Sequence, residues 1–185
     1  MSSPSRLAQA HSSVLMVVDI QEKLLPRMHK ADRVVERSVR MIEGAKVLGV
    51  PVIATEQYPK GIGPTVEPVR QALGDATVLE KTAFSSLGDS KVVEAVRATA
   101  AKTLFLVGIE AHVCITQTAL DGLDMSLAVH VVTDAVGSRD PGDRDVALRR
   151  IESAGAALVT SEMALFEWVK DASSPAFKGV LNLVK

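Results

Sequence analysis

Six short apolar runs constrain what this chain can fold into more than any other feature. They occupy residues 14–18, 50–54, 76–79, 103–107, 127–132 and 156–159. Each is rich in β-branched residues and apolar at successive positions rather than alternating. That pattern suits strands covered on both faces, as in a parallel sheet. Amphipathic stretches fill the gaps. In 34–48, the apolar residues Val34, Val35, Val39, Met41, Ile42, Ala45 and Leu48 fall largely on one helical face. Gly49, Val50 and Pro51 then end that helix and open the next strand. Residues 90–99 place Val92, Val93, Ala95 and Val96 similarly, and 143–154 follow Pro141-Gly142 with Val146, Ala147, Leu148 and Ile151. Stretches 161–169 and 177–184 read as a C-terminal helical pair. Strands alternating with helices predict a three-layer α/β/α domain around a six-stranded, mainly parallel, Rossmann-like sheet with right-handed crossovers.

With 185 residues the chain makes one domain, 1–185, in which residues 1–12 read as a flexible N-terminal segment. A chain of this length buries roughly 70% of its unfolded surface and needs no disulfide or metal to fold. Its 21 basic and 22 acidic residues lack the basic excess of a general nucleic-acid binder. Aromatic residues at 3% also argue against base-stacking platforms. The run at 14–18 is too short for a signal or a membrane span and ends at Asp19, so a cytoplasmic protein without a membrane partner is expected. The residues up to Arg6 leave room for a short transit peptide. A single cysteine and four scattered histidines supply no metal-ligand spacing, and no dinucleotide or P-loop fingerprint is present. No metal or cofactor is expected.

In open parallel sheets, ligands bind beyond the carboxyl ends of the strands. The polar residues after the runs are Asp19; Thr55 and Glu56; Glu80 and Lys81; Gly108 with Glu110 to Cys114; Thr133 and Asp134; and Thr160 to Glu162. Asp, Lys and Cys at three strand ends can perform nucleophilic catalysis. Cys114 falls at the start of a helical stretch, 115–123, where free N–H groups favour thiolate; the alternative is an inert, buried thiol. His112 is two residues away, a spacing at which side chains diverge, and His11, His29 and His130 offer no better base. Asp19 is left as base, or as the N-cap of the segment 21–27. Lys81 is a solvated strand end, or a cation that holds Asp19 ionised and pulls the thiol pKa below its ordinary value of about 8.5.

Three segments then stand out: Val17-Val18-Asp19-Ile20-Gln21, Glu80-Lys81-Thr82-Ala83-Phe84-Ser85 and Gly108-Ile109-Glu110-Ala111-His112-Val113-Cys114-Ile115. In this order they resemble the isochorismatase-like cysteine hydrolases, which include nicotinamidases and N-carbamoylsarcosine amidases. The stretch 55–65, the Ser138-Arg139 and Asp143-Arg144 pairs and the tail 174–185 resemble the isochorismatase-domain-containing subgroup.

The resemblance implies Asp19 as base, Lys81 as the middle member of a triad and Cys114 as nucleophile. It also implies a cis non-proline peptide within Ile109-Glu110-Ala111, with Ile109–Glu110 the first choice. That bond would aim the backbone N–H groups of Glu110 and Cys114 into an oxyanion hole. Gln21, Gln57, Tyr58 and Phe84 are candidates for the substrate pocket, with loop or core packing as their alternative role. Nicotinamidases carry a metal-binding Asp-x-His after the second strand; here the residues are Glu56-Gln57-Tyr58. The expectation is a homo-oligomeric hydrolase that cleaves a C–N bond of a small molecule through a Cys114 thioester. A binding or scaffold protein, an ether hydrolase and a redox thiol remain as alternatives, and the absence of a resolving cysteine counts against the last.

Overall fold

Each of the six runs becomes a strand in the computed structural model, which describes residues 7–185. The strands are β1 Ser13–Val18, β2 Val52–Gln57, β3 Thr77–Lys81, β4 Thr103–Ile109, β5 Ala128–Gly137 and β6 Ala157–Val159. Their order is β3-β2-β1-β4-β5-β6, and every pairing is parallel. The strand order reverses between β1 and β4, where doubly wound sheets hold their ligands. Both of these central strands are buried along their whole length.

The helices are α1 Ala31–Leu48, α2 Pro59–Ile62, α3 Glu67–Leu73, α4 Ser90–Ala98, α5 Thr116–Asp124, α6 Pro141–Ser153, α7 Ser161–Val169 and α8 Phe177–Val184. Successive strand residues point to opposite faces. Leu15, Val17, Phe105 and Val107 meet Met41 and Ile42 of α1, Leu165 and Trp168 of α7 and Val180 of α8. Val14, Met16, Val18, Leu104 and Leu106 meet Val92 and Val96 of α4, Ala119 of α5 and Leu148 and Ile151 of α6. This is the expected three-layer architecture, with two cores separated by the sheet.

Three features differ from the sequence expectation. α2 and α3 are additional; each is short and carries a proline, Pro59 or Pro68, in its first turn. β5 runs on past residue 132 to Gly137. Its register against β4 shifts there: Leu106 pairs with Val131, but Gly108 pairs with Val136. The polar pair Thr133 and Asp134 sits in this irregular stretch and hides the strand's continuation from an apolar pattern. At the N-terminus, Ala8 is buried and its N–H donates to Glu167 at 3.0 Å, ahead of a short turn at Ala10–Ser12. The transit-peptide reading ending near Arg6 lies outside the described residues, as does the first half of the flexible segment. Among the described residues, no helix is long and apolar enough to cross a membrane.

Candidate active site

Asp19 follows the last residue of β1 in a left-handed conformation, φ 53°, which short polar residues tolerate better than most. Its N–H donates to Thr55 O at 3.1 Å, and Gln21 N–H donates back to Asp19 O at 2.8 Å. The sharp turn aims the carboxylate across the strand ends. Oδ1 accepts from the Thr55 hydroxyl at 2.8 Å and Oδ2 from Lys81 Nζ at 2.7 Å. Both oxygens are therefore engaged away from the following segment, which forms only a short turn at Leu25–Arg27. Asp19 is not its N-cap.

Lys81 ends β3, in register with Gln57 of β2. Its ammonium also donates to Gln57 Oε1 at 2.7 Å, to Ala83 O at 3.1 Å and to Phe84 O at 3.2 Å, and lies 4.0 Å from Cys114 Sγ. The side chains of Lys81 and Asp19 are both 0% exposed. The solvated reading of Lys81 does not hold.

Cys114 lies in a wide helical turn, Ala111–Ile115, that joins β4 to α5 and is 7% exposed. Gly108 makes the approach possible. It has φ 117°, and a Cβ there would stand 2.1 Å from Val18 O. Only a residue without a side chain lets β4 end so close to the end of β1. The Ile109–Glu110 peptide is cis. Asp19, Lys81 and Cys114 thus converge from three strand ends.

The expected depression of the thiol pKa is corrected by this environment. Burial pushes Cys114 up to about 12, and the Asp19 charge adds to that. Lys81 opposes the rise, a hydrogen bond to Asp19 reinforces it, and a backbone hydrogen bond from Glu110 lowers it. The resting group is a thiol whose proton the nearby Asp19 charge helps to hold. A thiol so held becomes a nucleophile only by passing its proton to a neighbouring base, not by standing as thiolate.

The four pocket candidates divide. Gln21 is buried, and its amide bridges the loop after β1 to the end of β2. Nε2 donates to Gln57 O at 3.0 Å and Gly63 O at 2.6 Å, while Oε1 accepts from Gln57 N–H at 2.8 Å. With its amide committed, Gln21 braces the loop instead of offering a group to substrate. Gln57 is similarly engaged: Oε1 takes a Lys81 proton and Nε2 donates to Thr82 O at 2.8 Å. Tyr58 and Phe84 are different, at 54% and 57% exposed. Their backbones are tied to Lys81, by Tyr58 N–H to Lys81 O and by Lys81 Nζ to Phe84 O, so two exposed aromatic residues are anchored next to Lys81, with the Tyr58 ring lying over Gly61.

Thr55 was legible only as a strand-end residue, yet it supports Asp19 directly. Its hydroxyl also lies 3.3 Å from Ser86 Oγ, and Ser86 N–H donates to Thr118 Oγ1 at 2.8 Å. His112 turns to Ser138, with Nδ1 2.9 Å from its hydroxyl. Glu110 accepts from Arg139 Nε at 2.8 Å.

The donor set at the end of β2 does not fit the nicotinamidase type of metal site. Glu56 Oε1 accepts from both Thr65 N–H and Thr65 Oγ1 at 2.7 Å, Gln57 serves Lys81, and no imidazole is near in sequence. Among the described residues, no group of three His, Cys, Asp or Glu side chains is placed to hold a metal ion.

The isochorismatase domain model matches residues 13–163. Isochorismatase domain-containing protein 2A of Mus musculus is 42% identical over 174 residues, 94% of this chain and 83% of that protein. Isochorismatase domain-containing protein 1 of Danio rerio is 37% identical over 94% of this chain, which spans 61% of that protein's length. Among solved structures, MAR1 ribonuclease from Caenorhabditis elegans has TM-score 0.92 at 38% identity, covering 96% of this chain and 92% of its own. YcaC of Escherichia coli, described as an octameric hydrolase of unknown specificity, has TM-score 0.91 at 26% identity, covering 98% and 91%.

Proposed function

The chain belongs to the isochorismatase family, a family with a hydrolase fold, and from that membership we propose that it is a cysteine hydrolase cleaving a C–N bond of a small molecule, an amide or carbamoyl group. The observation that carries the reading is the convergence of the buried Asp19–Lys81 ion pair with the Cys114 thiol, whose Sγ lies 4.0 Å from Lys81 Nζ. On attack, the thiol proton moves to Asp19 while Sγ bonds to the substrate carbonyl carbon. The carbonyl oxygen takes the negative charge, opposite the backbone N–H groups of Glu110 and Cys114. One such donor is worth ~3 kcal/mol in a water-excluded site. Asp19 then returns the proton to the nitrogen as the C–N bond breaks and the amine leaves. Water, deprotonated by Asp19, splits the thioester and restores the thiol. Lys81 stays protonated throughout and orients Asp19.

The exposed rings of Tyr58 and Phe84 supply apolar walls for a small substrate. The committed donors at the end of β2 support a mechanism without a metal. A reduced thiol suits a cytoplasmic location, and the octameric E. coli neighbour supports a homo-oligomer, to be read by light scattering against the 19.7 kDa protomer.

The test is a panel of primary amides, N-carbamoyl compounds and a vinyl ether, read by ammonia or product release, with RNA included because the C. elegans neighbour is named a ribonuclease. Release from an amide or carbamoyl compound by the wild type, lost in Cys114→Ser, supports the proposal. Turnover that survives Cys114→Ser, or turnover of the vinyl ether or RNA alone, rejects it.

A further inference from the structure

We propose that the cavity between the starts of α1 and α6 is a binding site for a phosphate-sized oxyanion, separate from the thiol site. The cavity measures about 160 Å³ and is lined by His29, Lys30, Arg33, Thr133, Asp134 and Arg144 among others. That is well above the ~10–15 Å³ one water needs and below the ~300 Å³ at which drug-sized sites begin. A phosphate group fits; a nucleoside does not.

The charge around it is unbalanced. Lys30, Arg33 and Arg144 come from the loop before α1, from α1 and from α6, in a chain whose overall charge is only −1. The side chains of His29, Lys30 and Arg33 are exposed, and none has a protein hydrogen bond or ion pair among the described residues. Asp134 is the one acid in the lining, and its carboxylate is already used: Ser161 N–H and Ser161 Oγ donate to it at 2.7 Å each, and Arg37 Nε lies 3.8 Å away. One neighbouring acid, Asp145, pairs with Arg144 Nη1 at 3.2 Å; the others face elsewhere. Asp140 accepts from Gly142 N–H, Asp143 stands 3.9 Å from His112, and Asp32 lines the groove with Leu25 and Val35.

Arg144 provides a fixed floor. Its guanidinium donates to Thr133 O and to Val136 O, the latter at 3.2 Å, and so is held against the irregular part of β5. Lys30 and Arg33 have no such counter-charge among the described residues; like charges at one cavity repel, and an oxyanion relieves that repulsion while accepting their N–H groups. The cavity approaches the catalytic turn through backbone. His29 N–H donates to Ser138 O at 2.9 Å, and the Ser138 hydroxyl meets His112, two residues before Cys114.

The experiment is a titration of the ¹⁵N-labelled full chain with inorganic phosphate at constant ionic strength, followed by NMR. Saturable shifts are expected at the amides of residues 29–33 and 133–136, and the double variant K30Q/R33Q should weaken binding by roughly tenfold or more. Both substitutions are at exposed positions, and an unchanged thermal melt keeps loss of binding distinct from loss of fold. Methyl phosphate separates the two sources: tighter binding than phosphate supports the site and assigns it to an organic phosphoester, and equal or weaker binding supports it as a site for the free ion. No saturable shift with either compound, an equal response to acetate or chloride, or binding unchanged in K30Q/R33Q overturns the proposal.

Discussion

Lys81 Nζ lies 2.7 Å from Asp19 Oδ2, and neither side chain has any exposed surface. A buried ion pair is poor evidence of stability, because desolvation offsets the attraction. Breaking one half is another matter, since the surviving charge is stranded. Lys81→Met should therefore cost about 3–5 kcal/mol in urea unfolding and eliminate turnover. The double variant Asp19→Asn/Lys81→Met should recover most of that stability and none of the activity. A double variant as unstable as the single one would show that packing, not charge, dominates here.

The thiol makes a counter-intuitive case. With Cys114 pushed up to about 12 by burial and by Asp19, its alkylation by iodoacetamide at neutral pH should be slower than that of a free thiol. The rate should still be rising with pH above the ordinary thiol value of about 8.5. Asp19→Asn removes the charge that raises the pKa and leaves Lys81, which lowers it. Alkylation at neutral pH should then speed up while turnover falls by about 10²-fold or more, since the proton acceptor is gone. Slower alkylation in Asp19→Asn would mean that proton transfer, not charge, governs the reagent's attack.

That Asp19, Lys81 and Cys114 end three strands was legible because a doubly wound sheet presents its strand ends together; their roles came only from the family resemblance. What spacing does not carry is direction and depth. Gln21 sits two residues beyond Asp19, but the left-handed turn at Asp19 folds its amide back onto Gln57 and Gly63. Lys81 was expected to lower the thiol pKa; the sequence does not reveal that the site is buried or that the Asp19 charge acts on the thiol. β5 lost its last residues to the polar pair Thr133-Asp134, whose partners, Arg144 and Ser161, are distant in sequence. Thr55 was visible at the end of its strand, but its bond to Asp19 depends on the β1–β2 register.

Gly108 tests the packing that brings the triad together. A methyl group there would press on Val18 O and would hold an unfavourable φ of 117°. Gly108→Ala should destabilise the fold by roughly 2–4 kcal/mol, combining overpacking with backbone strain. Because Val18 immediately precedes Asp19, kcat should fall even well below the unfolding midpoint. Denaturant melts with assays at low urea separate the two effects, and wild-type kcat in the folded variant would show that the triad tolerates a shift of β1.

His130 gives stability a pH dependence of known sign. It is buried in β5, stacked on Phe105 with ring centroids 4.7 Å apart, and its Nδ1 has no partner among the described residues. Burial lowers its pKa from the ordinary 6.5, and the Glu167 charge opposes that only in part. Below about pH 6.5 the unfolded chain binds a proton at this position that the folded chain refuses. The contribution of His130 is therefore complete above pH 6.5 and is lost as pH falls towards the folded-state value. His130→Phe keeps a ring against Phe105 and removes the titration, while His11, His29 and His112 remain in both proteins and cancel. Urea unfolding from pH 7.5 to 5 should show the variant gaining stability relative to wild type as pH falls. Glu167→Gln should deepen the acid loss of the wild type, because it removes the charge that partly favours the imidazolium. Parallel stability curves for wild type and His130→Phe would mean that His130 accepts its proton in the folded state, with solvent reaching Nδ1.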